Sequence, residues 1–492
     1  MKWTKYALLS LPALAAAMLI AGCNLAPKYE TPLVDTAPAY KETNGWKQAQ
    51  PSDAVLKGKW WELFGDPQLN ALEEKVAISN QNVAAALQNF FAARDLVKQA
   101  RSALYPTVSV NPSVIKSQSS EAVHEATSVE QNPSFTTYSL PADASWELDL
   151  WGSVRNTARS DAYTAQASAG TLENMKLAAQ ADLAVDYYEL RGQDELIQLY
   201  TDTLKAYKDS LDLTTTLYKT GIYSALNVAQ ADALLETTLA QATALGIQRA
   251  QYEHAIAVLI GQTPSTFSIK MTLRSNQPPA IPIGLPSALL ERRPDIATAE
   301  RNAAAANAQI GVTRAAYYPT ITLSGSAGFE SIAVGNLFTA PSTFWSIGGA
   351  AAETLFDAGK RKAADEQAWA NFRSLAATYR QTVLTAFQQV EDNLASLRIL
   401  STETGQQDVA IKASQKNLDL SLEQFRLGIA SYLNVITAQE SLLSNQQTAV
   451  TLREQQFTST VQLIMALGGG WSSADLPDPG KLALKDPTYP KQ

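Results

Sequence analysis

This sequence has almost no cysteine and almost no histidine. Cys23 is the only thiol in 492 residues, and the two histidines are His124 and His254. A single cysteine cannot form an internal disulfide, and two isolated histidines do not have metal-ligand spacing. The chain also has no nucleophile elbow and no phosphate-binding glycine loop. These absences argue against an enzyme, a metal centre and a bound cofactor.

Basic charge is also in deficit. Lysine and arginine number 39 against 47 acidic residues, which gives a formal net charge of −8. A nucleic-acid-binding protein needs a basic footprint, and the sequence has no visible basic patch. After Cys23 the only methionines are Met175, Met271 and Met465, too few for a metal-relaying methionine series. The sequence therefore predicts no nucleic-acid partner and no methionine relay.

Proline is missing from two long tracts, residues 142–263 and residues 342–476. Proline inside a helix costs about 3 kcal/mol or more, so tracts of this length without it favour long helices. Residues 24–67 and 264–294 are instead rich in proline and predict irregular connections.

Each proline-free tract carries a seven-residue apolar repeat, which is typical of a coiled coil. A buried helix of a compact domain is the alternative, but such helices rarely exceed about 25 residues. If residues 152–219 are helical throughout, they form a rod of about 100 Å. The repeat positions are Leu183, Leu190, Ile197, Leu204, Leu211 and Tyr218, then Val383, Val390, Leu397, Thr404, Ile411, Leu418 and Phe425.

The two tracts belong to an internal duplication. Residues 105–110 (YPTVSV) recur as residues 318–323 (YPTITL), 213 positions later. Residues 218–222 (YKTGI) recur as residues 425–429 (FRLGI), only 207 positions later. The first half therefore has a six-residue insertion, which we place within residues 111–151, in a surface loop.

The N-terminus has the pattern of a bacterial lipoprotein signal. Lys2 and Lys5 precede an apolar run that is short for a membrane span, and the run ends in the sequence LIAGC at Cys23. An ordinary secretory leader is the alternative. We expect cleavage before Cys23 and covalent attachment of acyl and diacylglycerol lipid to this residue.

Short stretches between the long helices alternate apolar and polar residues with a period of two. Four strands are predicted, at residues 105–117, 135–149, 319–331 and 344–356. The alternation fits a transmembrane β-barrel, although a half-buried soluble strand has the same pattern. Since the smallest natural barrels have about eight strands, four strands must combine with those of other subunits.

Three sequence blocks carry a family resemblance. They are residues 60–69 (WWELFGDPQL), 284–296 (GLPSALLERRPDI) and 466–471 (ALGGGW). They resemble the signature blocks of the TolC-like outer-membrane factors, in the lipoprotein branch of OprM-type and CusC-type efflux channels. Asp66 and Pro67 also predict a helix start, as N-cap and first-turn proline.

This resemblance implies a mixed α and β fold and a homotrimer. Four strands from each protomer would form a twelve-stranded barrel in outer-membrane lipid, continuous with a periplasmic α-helical coiled-coil barrel. The implied partners are a periplasmic membrane-fusion adaptor and an inner-membrane pump. The predicted segments are a signal peptide (1–22), a lipidated equatorial segment (23–65), the first repeat (66–263), an equatorial linker (264–290), the second repeat (291–467) and an equatorial tail (468–492).

The predicted working residues lie at two helical turns, residues 218–228 and 425–435. A glycine at each turn can reverse the chain, and a purely structural turn is the alternative to a docking role. The resemblance implies that the adaptor docks at these tips, and that a gate follows the second one. Leu433 matches the gate leucine of the family, but Thr437 stands where the family has aspartate, so a hydrophobic Leu433 ring is expected. The tip residues are Tyr218, Gly221, Ser224, Phe425, Gly428 and Ser431.

Two other functions remain open from the sequence. One is a structural envelope lipoprotein that forms a coiled coil without a pore. The other is the exit duct of a type I protein secretion system. The exported substrate is not encoded in any motif, because the pump and adaptor would select it.

Overall fold

The computed structural model describes residues 24–42, 58–118, 134–274, 276–281 and 288–482. In the first repeat, helices α1 (Pro67–Ser79) and α2 (Gln81–Ser102) lead to a sheet, followed by α3 (Ser153–Lys219) and α4 (Ala225–Leu259). In the second repeat, a helical turn (Leu289–Arg292) and α5 (Pro294–Ala315) precede more strands, then α6 (Lys360–Arg426) and α7 (Tyr432–Ala466). The mixed helix and sheet composition predicted from the sequence is confirmed.

The helix bounds reproduce the duplication. The bounds of α5 are those of α2 shifted by 213 residues, and those of α6 and α7 are those of α3 and α4 shifted by 207. The connection between the paired strands spans residues 118–134 in the first repeat and 332–342 in the second. This difference of six residues (17 against 11) is the predicted insertion, and most of the longer connection (119–133) lies outside the described residues.

Both repeats interrupt their first helix at the same point, which the sequence reading did not anticipate. Asn80 stands between α1 and α2 in an extended conformation, and its side-chain oxygen accepts the N–H groups of Asn82 and Val83 at 2.9 and 3.1 Å. In the second repeat Arg293 occupies the equivalent position, immediately before Pro294 at the start of α5. Asparagine is a good N-cap and proline a good first residue, so each restarts the helix.

The sheet is antiparallel throughout. Strands β1 (Thr107–Val110) and β2 (Ser113–Ser117) both pair with β3 (Phe135–Leu148), which pairs with β4 (Thr320–Ser331), which pairs with β5 (Thr343–Ala352). The first predicted strand is therefore split, but its register is not, because Val110 pairs with Ala142 and Ser113 with Ser139. The gap contains Pro112, which has no N–H to donate to the ladder.

The two faces of the sheet differ in chemistry, as the period-two alternation predicted. One row across the strands consists of Val108, Ala144, Gly325 and Ile347, and the adjacent row of Ser109, Asp143, Ser326 and Ser346. In the polar row the Ser326 hydroxyl donates to Asp143 Oδ1 at 2.7 Å. On the apolar face Trp345 is 78% exposed, so the described residues of the protomer do not cover it.

The helices form a single curved layer. The long helices α3 and α6 run through the whole layer. Next to the sheet, α2 packs on α3 and α5 lies between α3 and α6. Farther from the sheet, α4 packs on α3 and α7 lies between α3 and α6. None of the described helices combines the length and the apolar composition needed to cross a bilayer. The heptad positions nearest the middle of the layer, Leu183, Leu190, Val383 and Val390, are fully buried.

A core of aromatic residues holds the middle of this layer together. Trp60 and Phe64, from the first signature block, form a short helix (Trp60–Phe64) that packs against α3 and α7. Tyr188 stacks on Phe457 with ring centroids 4.4 Å apart, and Phe64 lies 5.2 Å from Tyr188. The predicted helix start is also present, because Asp66 accepts the N–H groups of Gln68 and Leu69.

Candidate functional site: the helical tips and the duct wall

Both tips are glycine turns of the same type. Gly221 and Gly428 adopt left-handed φ angles of 75° and 73°. At the first tip Gly221 N–H donates to Tyr218 O at 2.9 Å and Ile222 N–H to Leu217 O at 3.0 Å. This pair of bonds is the Schellman pattern, which requires a left-handed residue at the helix end. Ser224 and Ser431 precede the next helices in extended conformation, and neither side chain makes a capping hydrogen bond.

Large apolar side chains are exposed at both tips. Tyr218, Ile222 and Leu226 are exposed at the first tip, and Leu427, Ile429 and Leu433 at the second. The side chain of Phe425 is different, because it is only 1% exposed. Although Phe425 is the repeat equivalent of Tyr218, its side chain is not part of the exposed tip surface.

Phe425 instead joins the two hairpins through an aromatic cluster that sequence reasoning missed. Tyr223 of the first tip stacks on Phe425 of the second, with ring centroids 4.4 Å apart, and its hydroxyl donates to Phe425 O. Tyr432 packs on the other side of Phe425 at 5.1 Å, and its hydroxyl lies 3.0 Å from Ser210 Oγ on α3. The duplication could have indicated this cluster, because Tyr223 and Tyr432 are aromatic in only one repeat. Their equivalents in the other repeat are the alanines at 430 and 225.

The predicted gate residues lie in the first two turns of α7, with Thr437 one turn after Leu433. Leu433 is 56% exposed within the protomer and Thr437 is also exposed. The Thr437 hydroxyl donates to Leu433 O at 3.0 Å, which is a bond within its own helix. The structure of one protomer does not test whether these side chains face a pore, so the Leu433 gate stays a prediction.

Four carboxylates lie close together in the helical wall: Asp182, Asp186 and Glu189 on α3, and Glu454 on α7. Burial raises the pKa of Asp186 to about 7, with a further contribution from Glu189 and Asp182. Burial also raises the pKa of Glu454 to about 7, assisted by Glu189 and opposed by Arg274. A methyl group at Gly192 would stand 2.2 Å from Glu454 Oε2, so α3 and α7 approach closely here. This part of the wall can exchange protons near neutral pH.

The N-terminal segment runs along the outside of α5, starting near the sheet. Ala26 lies beside Gly311 and Asn156, Asn307 donates to Pro27 O at 2.8 Å, and the Tyr29 hydroxyl donates to Glu300 Oε1 at 2.7 Å. Cys23 itself lies outside the described residues.

No group of metal-ligating side chains is present among the described residues. The titratable residues described above lie on the faces of long helices and not in an enclosed cleft.

Comparison with known proteins identifies the family of this chain. The family model described as outer membrane efflux protein matches residues 72–262 and 285–469. The probable efflux pump outer membrane protein TtgC of Pseudomonas putida is 33% identical over 459 residues, which cover 92% of this chain and 94% of the relative. The pyoverdine export outer membrane protein OpmQ of Pseudomonas aeruginosa is 30% identical over 485 residues, 97% of this chain and 99% of the relative.

Solved structures of outer-membrane channels are also similar to this chain. The outer-membrane channel OprN superposes with a TM-score of 0.84 at 28% identity, over 91% of this chain and 100% of OprN. CusC gives a TM-score of 0.81 at 25% identity, over 91% of this chain and 100% of CusC. The resemblance stated from the signature blocks is confirmed, as are the outer-membrane location and the role in efflux. The family and its solved members are channels and not enzymes. This chain belongs to the outer membrane efflux protein family.

Proposed function

We propose that three copies of this chain form the exit duct of a tripartite efflux system. The observation that carries the proposal is the open sheet: β1 and β2 at one edge and β5 at the other pair with nothing else in the described chain. Four strand positions are too few for a barrel, whereas three copies supply twelve. The helical layer likewise has unpaired edges, α2 and α4 on one side and α6 on the other.

The duct ends at the two tips, which we propose as the docking surface for a periplasmic adaptor. The apolar side chains exposed there would pack against a partner, and we propose that helical hairpins of the adaptor dock beside Tyr218, Gly221 and Ser224 and beside Gly428 and Ser431. Phe425 contributes to this surface only by holding the two tips together. The adaptor would connect the duct to an inner-membrane pump, which supplies the energy.

Small organic molecules are the proposed cargo. The relatives TtgC and OpmQ are named for efflux and for pyoverdine export, and other relatives for toluene, antibiotic and solvent efflux. The duct would pass these compounds without changing them, so no catalytic residue and no cofactor is proposed. None of these relatives is named for protein secretion, so their names do not favour a type I secretion duct.

Single-channel recording tests the central proposal. The purified protein, reconstituted in a planar bilayer, should insert as a trimer and conduct ions. A structural lipoprotein without a pore would insert or adsorb without conductance, and this result would overturn the proposal.

The lipid anchor at Cys23 is proposed as part of the same assembly. Its support is the path of residues 26–29, which brings the chain to the sheet end of α5. Mass spectrometry of the mature protein should find Cys23 at the N-terminus, bearing diacylglycerol and acyl groups. A mature chain that starts elsewhere, or an unmodified Cys23, would contradict it. Cys23→Ala with a cleavable leader should still give a folded trimer, since the barrel supplies its own membrane band.

A further inference from the structure

A cavity of about 340 Å³ lies where the helices meet the sheet in the first repeat. It is lined by the end of α2, the start of α3 and the tail residues Pro479 and Gly480. The cavity is directly beneath the sheet, because β1 begins at Thr107 and Trp146 Nε1 of β3 donates to Leu104 O at 3.1 Å. The lining side chains are Arg101, Leu104, Arg155, Ala158, Arg159, Ala162 and Tyr163.

The cavity carries excess positive charge. Arg155 is paired with Asp149, whose Oδ2 accepts from Arg155 Nε at 2.9 Å. Arg101 donates only to the neutral carbonyl oxygens of Pro479 and Gly480, at 3.1 and 3.3 Å. Arg159 donates to Asn156 Oδ1 at 3.3 Å, which is also neutral. Among the described residues that line the cavity none has a carboxylate, so two guanidinium charges are not neutralised.

The duplicated repeat shows that the fold does not need these charges. The equivalents of Arg101, Arg155 and Arg159 are Arg314, Lys362 and Glu366. In the second repeat Arg314 lies 3.8 Å from Asp365 and Lys362 lies 3.8 Å from Glu366, so these cations have anionic neighbours. The same helix junction therefore folds with its charges balanced, and the cationic cavity is a property of the first repeat alone.

Two observations put this cavity at the edge of the bilayer. The apolar residues Val108 and Val110 of β1, just above it, are exposed on the sheet. The first described residues of the N-terminal segment lie beside the same helix, because a Cβ added at Gly311 would stand 2.7 Å from Ala26 Cβ and 2.5 Å from Nδ2 of Asn156, the partner of Arg159, and the proposed lipid anchor precedes this segment in the sequence. The guanidinium groups and the Tyr163 hydroxyl can donate hydrogen bonds to phosphate oxygens. The apolar side chains of Leu104, Ala158 and Ala162 can contact a glyceride backbone.

We propose that this cavity binds the phosphate headgroup of an anionic phospholipid of the periplasmic leaflet. The inference rests on the proposed function, because the barrel fixes which leaflet the cavity meets. Arg101 and Arg159 would contact the phosphate oxygens, and Arg155 would add charge while it remains fixed by Asp149. Basic pockets at the membrane surface of helical proteins bind anionic lipid headgroups by the same chemistry.

Lipid titration of the purified full-length trimer tests the proposal, with phosphatidylglycerol and phosphatidylcholine as probes and native mass spectrometry as the readout. Phosphatidylglycerol should bind more tightly than phosphatidylcholine. Arg159→Gln should weaken phosphatidylglycerol binding roughly fivefold, and adding Arg101→Gln should weaken it further, roughly 25-fold in total. Arg314→Gln, the equivalent change in the second repeat, is the matched control and should leave binding unchanged.

Inorganic phosphate separates a lipid site from a free-anion site. Millimolar inorganic phosphate should not displace phosphatidylglycerol; displacement to completion would identify a free-phosphate site and overturn the lipid assignment. Equal binding by wild type and Arg159→Gln would overturn it as well. Arg159 is exposed, so Arg159→Gln should fold, and Arg159→Lys should retain part of the affinity. Conductance of the same preparation is the separate check: a conducting channel without selective lipid binding contradicts this inference alone, whereas a protein that never conducts contradicts the proposed duct.

Discussion

Gly468 lies against the backbone of Arg292, so closely that a Cβ at position 468 would stand 2.1 Å from Arg292 O. The first repeat has the same contact, because a Cβ at Gly261 would stand 2.3 Å from Ser79 O. Both glycines have left-handed φ angles, 93° and 69°. The end of α4 therefore packs on Ser79, which precedes the helix interruption at Asn80. In the second repeat the end of α7 packs on Arg292, which precedes the interruption at Arg293.

This contact predicts a difference between two kinds of glycine. Gly468→Ala should lower the free energy of unfolding by about 3 kcal/mol or more, because the backbone must move as well as tolerate a strained φ. Gly428→Ala is the control: its φ is 73°, but nothing lies within 4 Å of the added Cβ. It should cost only about 1–2 kcal/mol of strain. Thermal unfolding followed by circular dichroism in detergent measures both, and equal losses would contradict the packing argument.

A buried network of charged residues binds the linker after α4 (residues 264–281) to the helical layer. Asp194 is fully buried and accepts from Arg191 Nη1 and Arg249 Nε, both at 2.7 Å, and from Thr272 N–H at 3.1 Å. Asp194→Ala would leave the buried Arg191 without its anion and Arg249 with only its longer pair to Glu253 at 3.4 Å, and should cost about 3–5 kcal/mol. Protease cleavage within residues 264–281 should then become faster.

The second repeat supplies the control for this network. Arg398 is the repeat equivalent of Arg191, and it pairs with Glu42 at 2.7 Å on the surface. Glu42→Ala should cost about 1 kcal/mol or less, because exposed pairs contribute little. If Glu42→Ala destabilised the protein as much as Asp194→Ala, burial would not be the reason for the effect.

Glu73 makes stability depend on pH. Its side chain is fully buried, neither carboxylate oxygen has a hydrogen-bond partner among the described residues, and burial raises its pKa well above the ordinary value of 4.5. The folded state therefore holds a proton that the unfolded state releases. The contribution of Glu73 to the free energy of unfolding should be largest below pH 4.5. It should fall as the pH rises towards the raised pKa, by up to about 1.4 kcal/mol per pH unit.

Glu73→Gln should reduce the dependence of stability on pH, which thermal unfolding between pH 5 and pH 8 can measure. Glu74→Gln is the matched control, because Glu74 is the exposed neighbour that pairs with Lys59. Asp186 and Glu454 titrate in the same range, so part of the slope should remain in Glu73→Gln. An unchanged slope in Glu73→Gln would mean that Glu73 is not the group responsible.

The sequence predicted the repeated architecture well because its signals are periodic. Heptads, period-two strands and the offsets of 213 and 207 each extend over many residues, and the helix bounds follow those offsets. The tip cluster was missed because Tyr223, Phe425 and Tyr432 meet only when the two hairpins lie side by side. Likewise Phe425 continues a heptad series, and only its burial shows that it differs from Tyr218. Contacts between distant segments leave no period in one sequence.

The six-residue insertion predicts the orientation of the sheet. It lies in the connection between β2 and β3, and the described strand ends that this connection joins, Ser117 and Phe135, are at the end of the sheet away from the helices. If the helices occupy the periplasm, this connection faces the outside of the cell. An epitope tag inserted beside Glu125 should be accessible to antibody on intact cells, with an epitope at Gly428 as the periplasmic control. Detection of the Glu125 tag only after permeabilisation would invert the topology.

A ring of Leu433 side chains should close the resting duct. Leu433 is exposed on the first turn of α7, and symmetry in the proposed trimer would place three copies around one axis. An apolar constriction of a few ångströms tends to exclude water and ions. Thr437 is no substitute for a carboxylate ring, because it is uncharged and its hydroxyl donates to Leu433 O within the helix.

Leu433→Ser should therefore raise the resting conductance in planar bilayers, and increase the entry of large antibiotics into cells. Thr437→Ala should have little effect on either measurement, since it removes only a bond within one helix, and it serves as the control. Tyr432 must stay unchanged, because it packs in the tip cluster and its loss would disturb the turn itself. A duct that leaks after Thr437→Ala and not after Leu433→Ser would show that Leu433 does not form the constriction. A trimer structure with Leu433 directed away from the axis would lead to the same conclusion.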